Sequence, residues 1–223
     1  RKEVKDKVIR ADQLIDYIRK QCSQSKEMES SDKELFAWAN SYLELHKPKE
    51  RDYTDIDGLI TNEPGLVLST FYADCVPLYF LDPVRRAVGL SHSGWRGTVG
   101  RMGQATVEAM GREYGSNPGD IIACIGPSIC QDCYEVGEEV AAEFRRAFSE
   151  KYWPELLCAK PEGKYLLNLW RANEIVLLEA GVKAENIQVT DICTHCNPDY
   201  LFSHRTMGSE RGNLAAFLSI KEL

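Results

Sequence analysis

The sequence lacks a long apolar segment: nothing in its 223 residues approaches the roughly 20 consecutive apolar residues of a membrane span. It also lacks an excess of basic residues, because 27 Lys and Arg face 34 Asp and Glu, for a formal net charge of -7. That charge opposes the attraction to phosphate that carries most nucleic-acid binding, and no run of Lys or Arg overrides it. We therefore expect no membrane and no nucleic acid as partner, and a small-molecule substrate instead.

A signal segment is not evident either, since the charged residues 1–10 lead into no apolar stretch. This pattern predicts a cytoplasmic protein. Eight cysteines would suit a secreted disulfide scaffold, but cysteines flanked by His and Asp in a chain of this length are more typical of metal or thiol chemistry. Disulfides remain the alternative.

Two parts of the sequence differ in hydrophobic periodicity. Apolar residues in 1–47 recur at helical spacing, which predicts an N-terminal segment of two helices, and the polar residues 48–57 predict a linker. From 58 to 223, β-type runs alternate with helical patterns, which predicts a main domain of the α/β (α+β) class with a mixed sheet. We expect strands at 59–61, 66–71, 76–81, 87–90, 121–125, 187–192 and 214–220, and helices at 99–114, 138–152 and 167–180.

Histidine is scarce, with four residues in the whole chain. His92 follows the predicted strand 87–90 in the segment 91–97 (SHSGWRG), and Gly94 and Gly97 let the backbone bring the guanidinium of Arg96 beside it. A charged planar group there, next to the N–H groups of a helix expected from about Thr98, is what a phosphate or carboxylate site requires. A surface ion pair is the alternative for Arg96, and a backbone-bonded ring in a tight turn is the alternative for His92.

Cys75 lies between two predicted strands in the segment 72–77 (YADCVP). A cysteine in such a place is often a small core residue. Together with His92 at the next strand end, however, it predicts either a thiolate–imidazolium nucleophile pair or two ligands of a zinc or copper ion.

Two C-x-x-C pairs, Cys130 with Cys133 and Cys193 with Cys196, form a further group. Such pairs are typical of zinc sites, although the stretch between them is longer than in a zinc ribbon. A structural metal, reduced thiols and a disulfide all stay open, and we expect the four residues to lie near one another. Arg205, in the segment 202–205 (FSHR), is a second cation that the fold could bring beside Arg96; the alternative is a solvated surface residue.

Four segments together resemble the YfiH-type laccase-domain family from about Asp55 onward: 70–77 (TFYADCVP), 91–97 (SHSGWRG), 125–129 (IGPSI) with 133–137 (CYEVG), and 202–205 (FSHR). The resemblance implies a layered α/β/β/α fold that is also seen in toxins of the CNF type. Members of the family were first labelled multicopper polyphenol oxidases and were later assigned purine nucleoside phosphorylase, methylthioadenosine phosphorylase and adenosine deaminase activity.

The resemblance also implies a zinc site. In the family the ligands are the His of a Gln-x-His motif, the Cys of Ala-Asp-Cys and the His of His-x-Gly-Trp-Arg-Gly, and the last two correspond to Cys75 and His92. No Gln-x-His precedes Cys75 here. We therefore expect a site that is incomplete, or that is completed by His46 or His204.

The function implied is a zinc-dependent purine nucleoside phosphorylase that acts on adenosine, inosine, guanosine and methylthioadenosine, with adenosine deaminase as a side activity. Its partners would be a purine nucleoside and phosphate, with Arg96 and Arg205 as substrate-binding cations and Cys75 and His92 as catalytic groups. A copper-dependent polyphenol oxidase is an alternative, but it would need many more histidines, in His-x-His motifs that this chain lacks. The remaining alternatives are a Cys–His hydrolase and a non-catalytic metal-binding module.

Overall fold

The computed structural model describes residues 8–10 and 56–221. The strands in these ranges are β1 Val8–Arg10, β2 Gly58–Thr61, β3 Val67–Tyr72, β4 Val76–Asp82, β5 Ala87–Ser93, β6 Ile122–Ile125, β7 Glu135–Gly137, β8 Leu157–Lys160, β9 Lys164–Leu167, β10 Ile187–Val189 and β11 Leu214–Ser219. The α-helices are α1 Trp95–Val99, α2 Met102–Tyr114, α3 Glu138–Ala147, α4 Trp153–Leu156, α5 Leu169–Glu179 and α6 His204–Met207.

A mixed six-stranded sheet forms the centre, in the order β1-β2-β5-β4-β6-β10. The inner pairs β2–β5, β5–β4 and β4–β6 are antiparallel, whereas β1 and β10 join the edges in parallel. Helices α2 and α5 cover one face. The approach of α2 is close, since a Cβ on Gly89 would lie 3.2 Å from the Thr106 side chain and 3.3 Å from the Met110 sulfur.

The other face of the sheet carries a second β layer, the antiparallel ribbon of β3 and β11. Successive strand residues point to opposite faces, so alternate residues of β5 form the contact. Val88 and Leu90 pack there with Leu68, Tyr72 and Ala216 in a buried cluster. Helices, main sheet and ribbon therefore stack as α, β and β layers, and the predicted mixed α/β class is confirmed.

The structure corrects several predicted boundaries. The helix expected at 99–114 is two helices, because Arg101 between them is left-handed with φ 68°. The helix expected at 138–152 ends at Ala147. The small antiparallel sheet β7-β9-β8 is not predicted, because its strands are only three or four residues long.

Val8–Arg10 is a strand and not part of a helix. The other residues of the predicted N-terminal segment 1–47, and the linker apart from residues 56 and 57, lie outside the described residues. Within the ranges that the structure describes, none of the helices is long and apolar enough to cross a membrane.

Candidate functional site

The start of β4 and the end of β5 bring Cys75 and His92 together. In the antiparallel register Pro77 is opposite His92 and Val76 is opposite Ser93, so Cys75 falls next to the turn that follows β5. A Cβ on Gly94 would lie 2.9 Å from the Cys75 sulfur. A glycine is therefore needed at position 94 to leave room for the thiol.

His92 lies within β5, two residues beyond the predicted strand end. It faces the ribbon, as do Val88 and Leu90, because these residues alternate along one face of the strand. The rings of Tyr72 and His92 are 5.5 Å apart between centroids. The Tyr72 hydroxyl donates to the Ser91 carbonyl oxygen at 3.3 Å, which fixes the tyrosine beside the imidazole.

Asp57 holds the other side of the imidazole. Its carboxylate Oδ1 is 3.2 Å from His92 Nδ1, and the His92 backbone N–H donates to the Asp57 carbonyl oxygen at 2.7 Å. Burial lowers the pKa of His92, but hydrogen bonds to Asp57 and Cys75 outweigh it and raise the pKa to about 9. Because Asp57 occupies Nδ1, the ring presents Nε2 as the nitrogen for a metal or a reaction partner.

Arg96 and Arg205 come from distant parts of the chain to the same phenol, that of Tyr134. Burial, together with the charges of Cys75 and Asp74, raises the pKa of Tyr134 to about 12, against the lowering effect of the Arg205 and Arg96 charges. All five groups thus share one neighbourhood. Both arginines therefore act on one phenol, and the expectation that the fold brings Arg205 beside Arg96 stays a prediction.

The two guanidinium groups are held differently. Arg205 lies 5.2 Å from the Tyr134 ring centroid and donates from Nη1 to the Glu135 carbonyl oxygen at 2.9 Å. Arg96 stacks on Trp95, with Cζ 4.3 Å from the ring centroid, and both arginines are exposed. Helix α1, which carries Arg96, begins at Trp95 and has five residues, so it is shorter and earlier than the helix predicted near Thr98.

Asp74, the residue before Cys75, is hydrogen-bonded to Thr194 and Arg205. Its backbone is left-handed, with φ 78°, and the side chain is buried. One carboxylate oxygen accepts from Thr194 Oγ1 at 2.6 Å and the other from the Arg205 backbone N–H at 2.7 Å. These bonds stabilise an unfavourable backbone conformation directly before the thiol.

His204 does not supply a third metal ligand in this structure. Its Nδ1 accepts from Arg211 Nε at 3.2 Å, and among the described residues it does not join Cys75 and His92 in a group with metal-ligand spacing. His46 lies outside the described residues.

A group of residues with metal-ligand spacing does occur elsewhere in the part of the chain that the structure describes. The sulfur atoms of Cys130, Cys133, Cys193 and Cys196 all lie within 4.8 Å of one another, which confirms that the two C-x-x-C pairs meet. The seven cysteines of the described residues are free. These four could bind a metal ion.

Asp57 and Tyr134 are the site residues that the sequence analysis missed. Asp57 falls at the end of the predicted linker 48–57, and only the pairing of β2 with β5 shows that it faces His92. The sequence did offer a sign of Tyr134 as a site residue, because it lies in the segment 133–137 that supports the family resemblance. Its proximity to Cys75 follows from the fold alone.

Comparison with known proteins gives consistent results. Curated relatives include purine nucleoside phosphorylase YlmD of Bacillus subtilis, 39% identical over 74% of this chain and 59% of its own length. Another is adenosine deaminase RL5 of an unknown prokaryotic organism, 42% identical over 70% of this chain and 59% of its own length. The chain thus spans about three fifths of the length of these relatives.

Solved structures agree in fold. The crystal structure of the hypothetical protein YfiH from Bacillus licheniformis matches with a TM-score of 0.71 and 39% identity, over 74% of this chain and 61% of that one. YlmD from Geobacillus stearothermophilus matches equally well, with a TM-score of 0.71, 38% identity and the same coverage. The resemblance to YfiH-type proteins is confirmed. Residues 20–221 also match the family model described as multi-copper polyphenol oxidoreductase laccase, and because this match spans most of the sequence, the chain belongs to that family.

Proposed function

We propose that this chain is a zinc-dependent purine nucleoside phosphorylase with adenosine deaminase as a side activity, and that residues 58–223 form its catalytic domain. The observation that carries the proposal is the convergence of a thiol, an imidazole oriented by a carboxylate, and two guanidinium groups around the Tyr134 phenol. The names of the relatives support the same reaction class. The substrates would be adenosine, inosine, guanosine or methylthioadenosine, together with phosphate.

Cys75 and His92 suit a zinc ion chemically. Thiolate sulfur and imidazole nitrogen are preferred zinc ligands, and a carboxylate on the second ring nitrogen is the usual support of a histidine ligand, a place that Asp57 fills. Catalytic zinc normally has three protein ligands and one open position. The third position would be filled by His46 or by a solvent molecule. When bound, zinc would act as a Lewis acid at this site.

Arg96 and Arg205 would bind the phosphate co-substrate. Phosphorolysis brings an anion to the sugar C1′ while the purine leaves, and paired guanidinium groups bind and orient such an anion. Arg205 is ordered in advance by its bonds to the Tyr134 ring and the Glu135 carbonyl oxygen. Arg96 is exposed, so it can reach a substrate that enters from solvent.

Adenosine deamination needs water, not phosphate, at the purine C6 atom. The raised pKa of His92 means that, without a metal, the ring carries a proton at neutral pH. Zinc binding at His92 would displace this proton, and a zinc ion held by Cys75 and His92 would lower the pKa of a water molecule toward about 7 for attack at the C6 atom. The reducing cytoplasm, our proposed location, would keep the Cys75 thiol available.

The test is an assay of the purified protein with inosine and adenosine, each with and without phosphate. We expect free base and a sugar phosphate only when phosphate is present, and a slower release of ammonia from adenosine in either case. Base release at equal rates with and without phosphate would instead indicate a Cys–His hydrolase.

A copper-dependent polyphenol oxidase is the second candidate, because the matching family model carries that description. The donor set argues against it: the chain has four histidines, whereas copper oxidation centres depend on many imidazole ligands. Oxygen uptake with a phenol by the copper-loaded protein, at a rate above that of the zinc-loaded protein, would favour this candidate. If the protein catalyses neither phosphorolysis nor phenol oxidation, the remaining candidate is a non-catalytic metal-binding module.

A further inference from the structure

The four-cysteine cluster of Cys130, Cys133, Cys193 and Cys196 is separate from the Cys75–His92 pair. It joins two distant segments, because Ser128 and Cys193 form a parallel β-bridge. The Ser128 N–H donates to the Ile192 carbonyl oxygen at 3.1 Å, and the Thr194 N–H donates to the Ser128 carbonyl oxygen at 3.2 Å. Backbone bonds thus hold the two C-x-x-C turns against each other.

The spacing of the sulfur atoms is that of a tetrahedral site. With Zn–S bonds of about 2.3 Å, the corners of a regular tetrahedron are about 3.8 Å apart. The four sulfur atoms all lie within 4.8 Å of one another, and those of Cys133 and Cys196 are 3.4 Å apart. One cation at the centre could therefore contact all four.

The surroundings of Cys193 favour a thiolate. This residue is 6% exposed, and its sulfur accepts the backbone N–H groups of Cys130 at 3.3 Å and of Cys196 at 3.4 Å. Donors aimed at sulfur stabilise negative charge on it and support metal ligation. Four thiolates at this spacing repel one another unless a cation neutralises them.

We propose that Cys130, Cys133, Cys193 and Cys196 bind a structural zinc ion as a closed tetrathiolate site. With four protein ligands and no open position, such a site holds structure and performs no chemistry. Soft thiolate ligands in a tetrahedral arrangement select zinc over magnesium, calcium or manganese.

The zinc would order the loop that carries Cys75. Next to Cys130, the Ile129 N–H donates to the Asp74 carbonyl oxygen at 3.1 Å, and next to Cys193, Thr194 Oγ1 donates to the Asp74 carboxylate at 2.6 Å. A residue in or directly before each C-x-x-C turn therefore donates one hydrogen bond to Asp74, the left-handed residue before Cys75. Fixing the two turns with one ion fixes both bonds.

The experiment uses the full chain with Cys75→Ala, which removes a ligand of the other proposed site. Purified in the presence of Zn²⁺ with thiols reduced, this protein should retain about one zinc per chain by elemental analysis. Cys133→Ser with Cys196→Ser in the same background should lose that zinc. Cys158→Ser is the matched control, because Cys158 is an exposed cysteine of β8 outside the cluster, and its zinc content should not change.

Zinc K-edge X-ray absorption of the Cys75→Ala protein decides the matter even if the double variant does not fold. We expect four sulfur neighbours at about 2.3 Å. Nitrogen in the first shell, a folded Cys75→Ala protein without zinc, or a double variant that keeps its zinc would overturn the proposal. Disulfides among the four residues in protein purified anaerobically, shown by mass spectrometry, would do the same.

Discussion

The Cys75–His92 site and the four-cysteine cluster are built from similar ligands but differ in what surrounds them. Cys75 and His92 are half-buried and have Asp57, Tyr134 and two arginines as neighbours, so the site has polar groups that can meet a substrate. The cluster has four sulfur atoms and backbone N–H donors. Charged and polar side chains around an incomplete set of metal ligands therefore indicate a reactive site. A complete set of four protein ligands indicates a structural site.

The strongest test of this contrast is Cys75→Ala. Losing the thiol should remove the zinc of the catalytic site and lower nucleoside turnover by about 1000-fold, because metal catalysis supplies several kcal/mol. The cluster should keep its own zinc. Turnover and zinc content are measured on the same preparation, with Cys158→Ser as control. Turnover of the Cys75→Ala variant at the wild-type rate would contradict the assignment of Cys75 as a catalytic zinc ligand.

Arg96→Ala tests whether the charged groups around the Cys75–His92 site bind substrate. A charge-assisted hydrogen bond contributes about 1.5–3 kcal/mol, so we expect the KM for phosphate to rise by roughly 10- to 100-fold, with little change in bound zinc. Steady-state kinetics with varied phosphate measure this. Arg112→Ala, an exposed arginine paired with Glu113 on α2, is the control and should behave like the wild type. An unchanged KM would show that Arg96 is a surface residue.

Asp57→Asn tests the support of His92. Loss of a carboxylate behind a histidine ligand typically costs 10- to 100-fold in metal affinity, and we expect about tenfold because Asp57 is 31% exposed. Competition with a chromophoric chelator measures the affinity of the catalytic site. Asp199→Asn changes an exposed carboxylate elsewhere and should have no effect. Equal affinities in the two variants would contradict the role of Asp57.

Tyr134→Phe gives the smallest effect and concerns the region between the two sites. The Tyr134 pKa of about 12, against 10.0 for an unperturbed tyrosine, means that the folded state holds this proton more tightly than the unfolded state. Its contribution to stability is thus complete below pH 10 and is lost as the pH rises to 12.

At pH 11 the wild type should already have lost about 1 kcal/mol of unfolding free energy through this group. Tyr134→Phe should therefore show a shallower decline between pH 10 and 12 in urea titrations. Tyr200→Phe, which changes a tyrosine that is 72% exposed, is the control. Parallel pH profiles for wild type and Tyr134→Phe would show that the phenol is not buried as described.

Much of the main domain could be predicted because its strands are apolar and bounded by turn residues. The expected strands at 76–81 and 87–90 match β4 and β5 closely. The β7-β9-β8 sheet could not be predicted, since four-residue strands such as Lys164–Leu167 show too little alternation to detect. The break at Arg101 could not be predicted either, because arginine, unlike glycine, asparagine or aspartate, gives no sign of a left-handed backbone.

The sequence alone determined which chemistry is available: two C-x-x-C pairs, and the residues Cys75, His92, Arg96 and Arg205, which lie in segments that resemble the family. The tertiary structure decided which of these groups meet. Strand register placed Asp57 on His92, and a parallel bridge brought Cys193 to Cys130. The reason is physical: residue type sets what an atom can bind, but distances between remote segments depend on how sheets and loops pack, which no local pattern records.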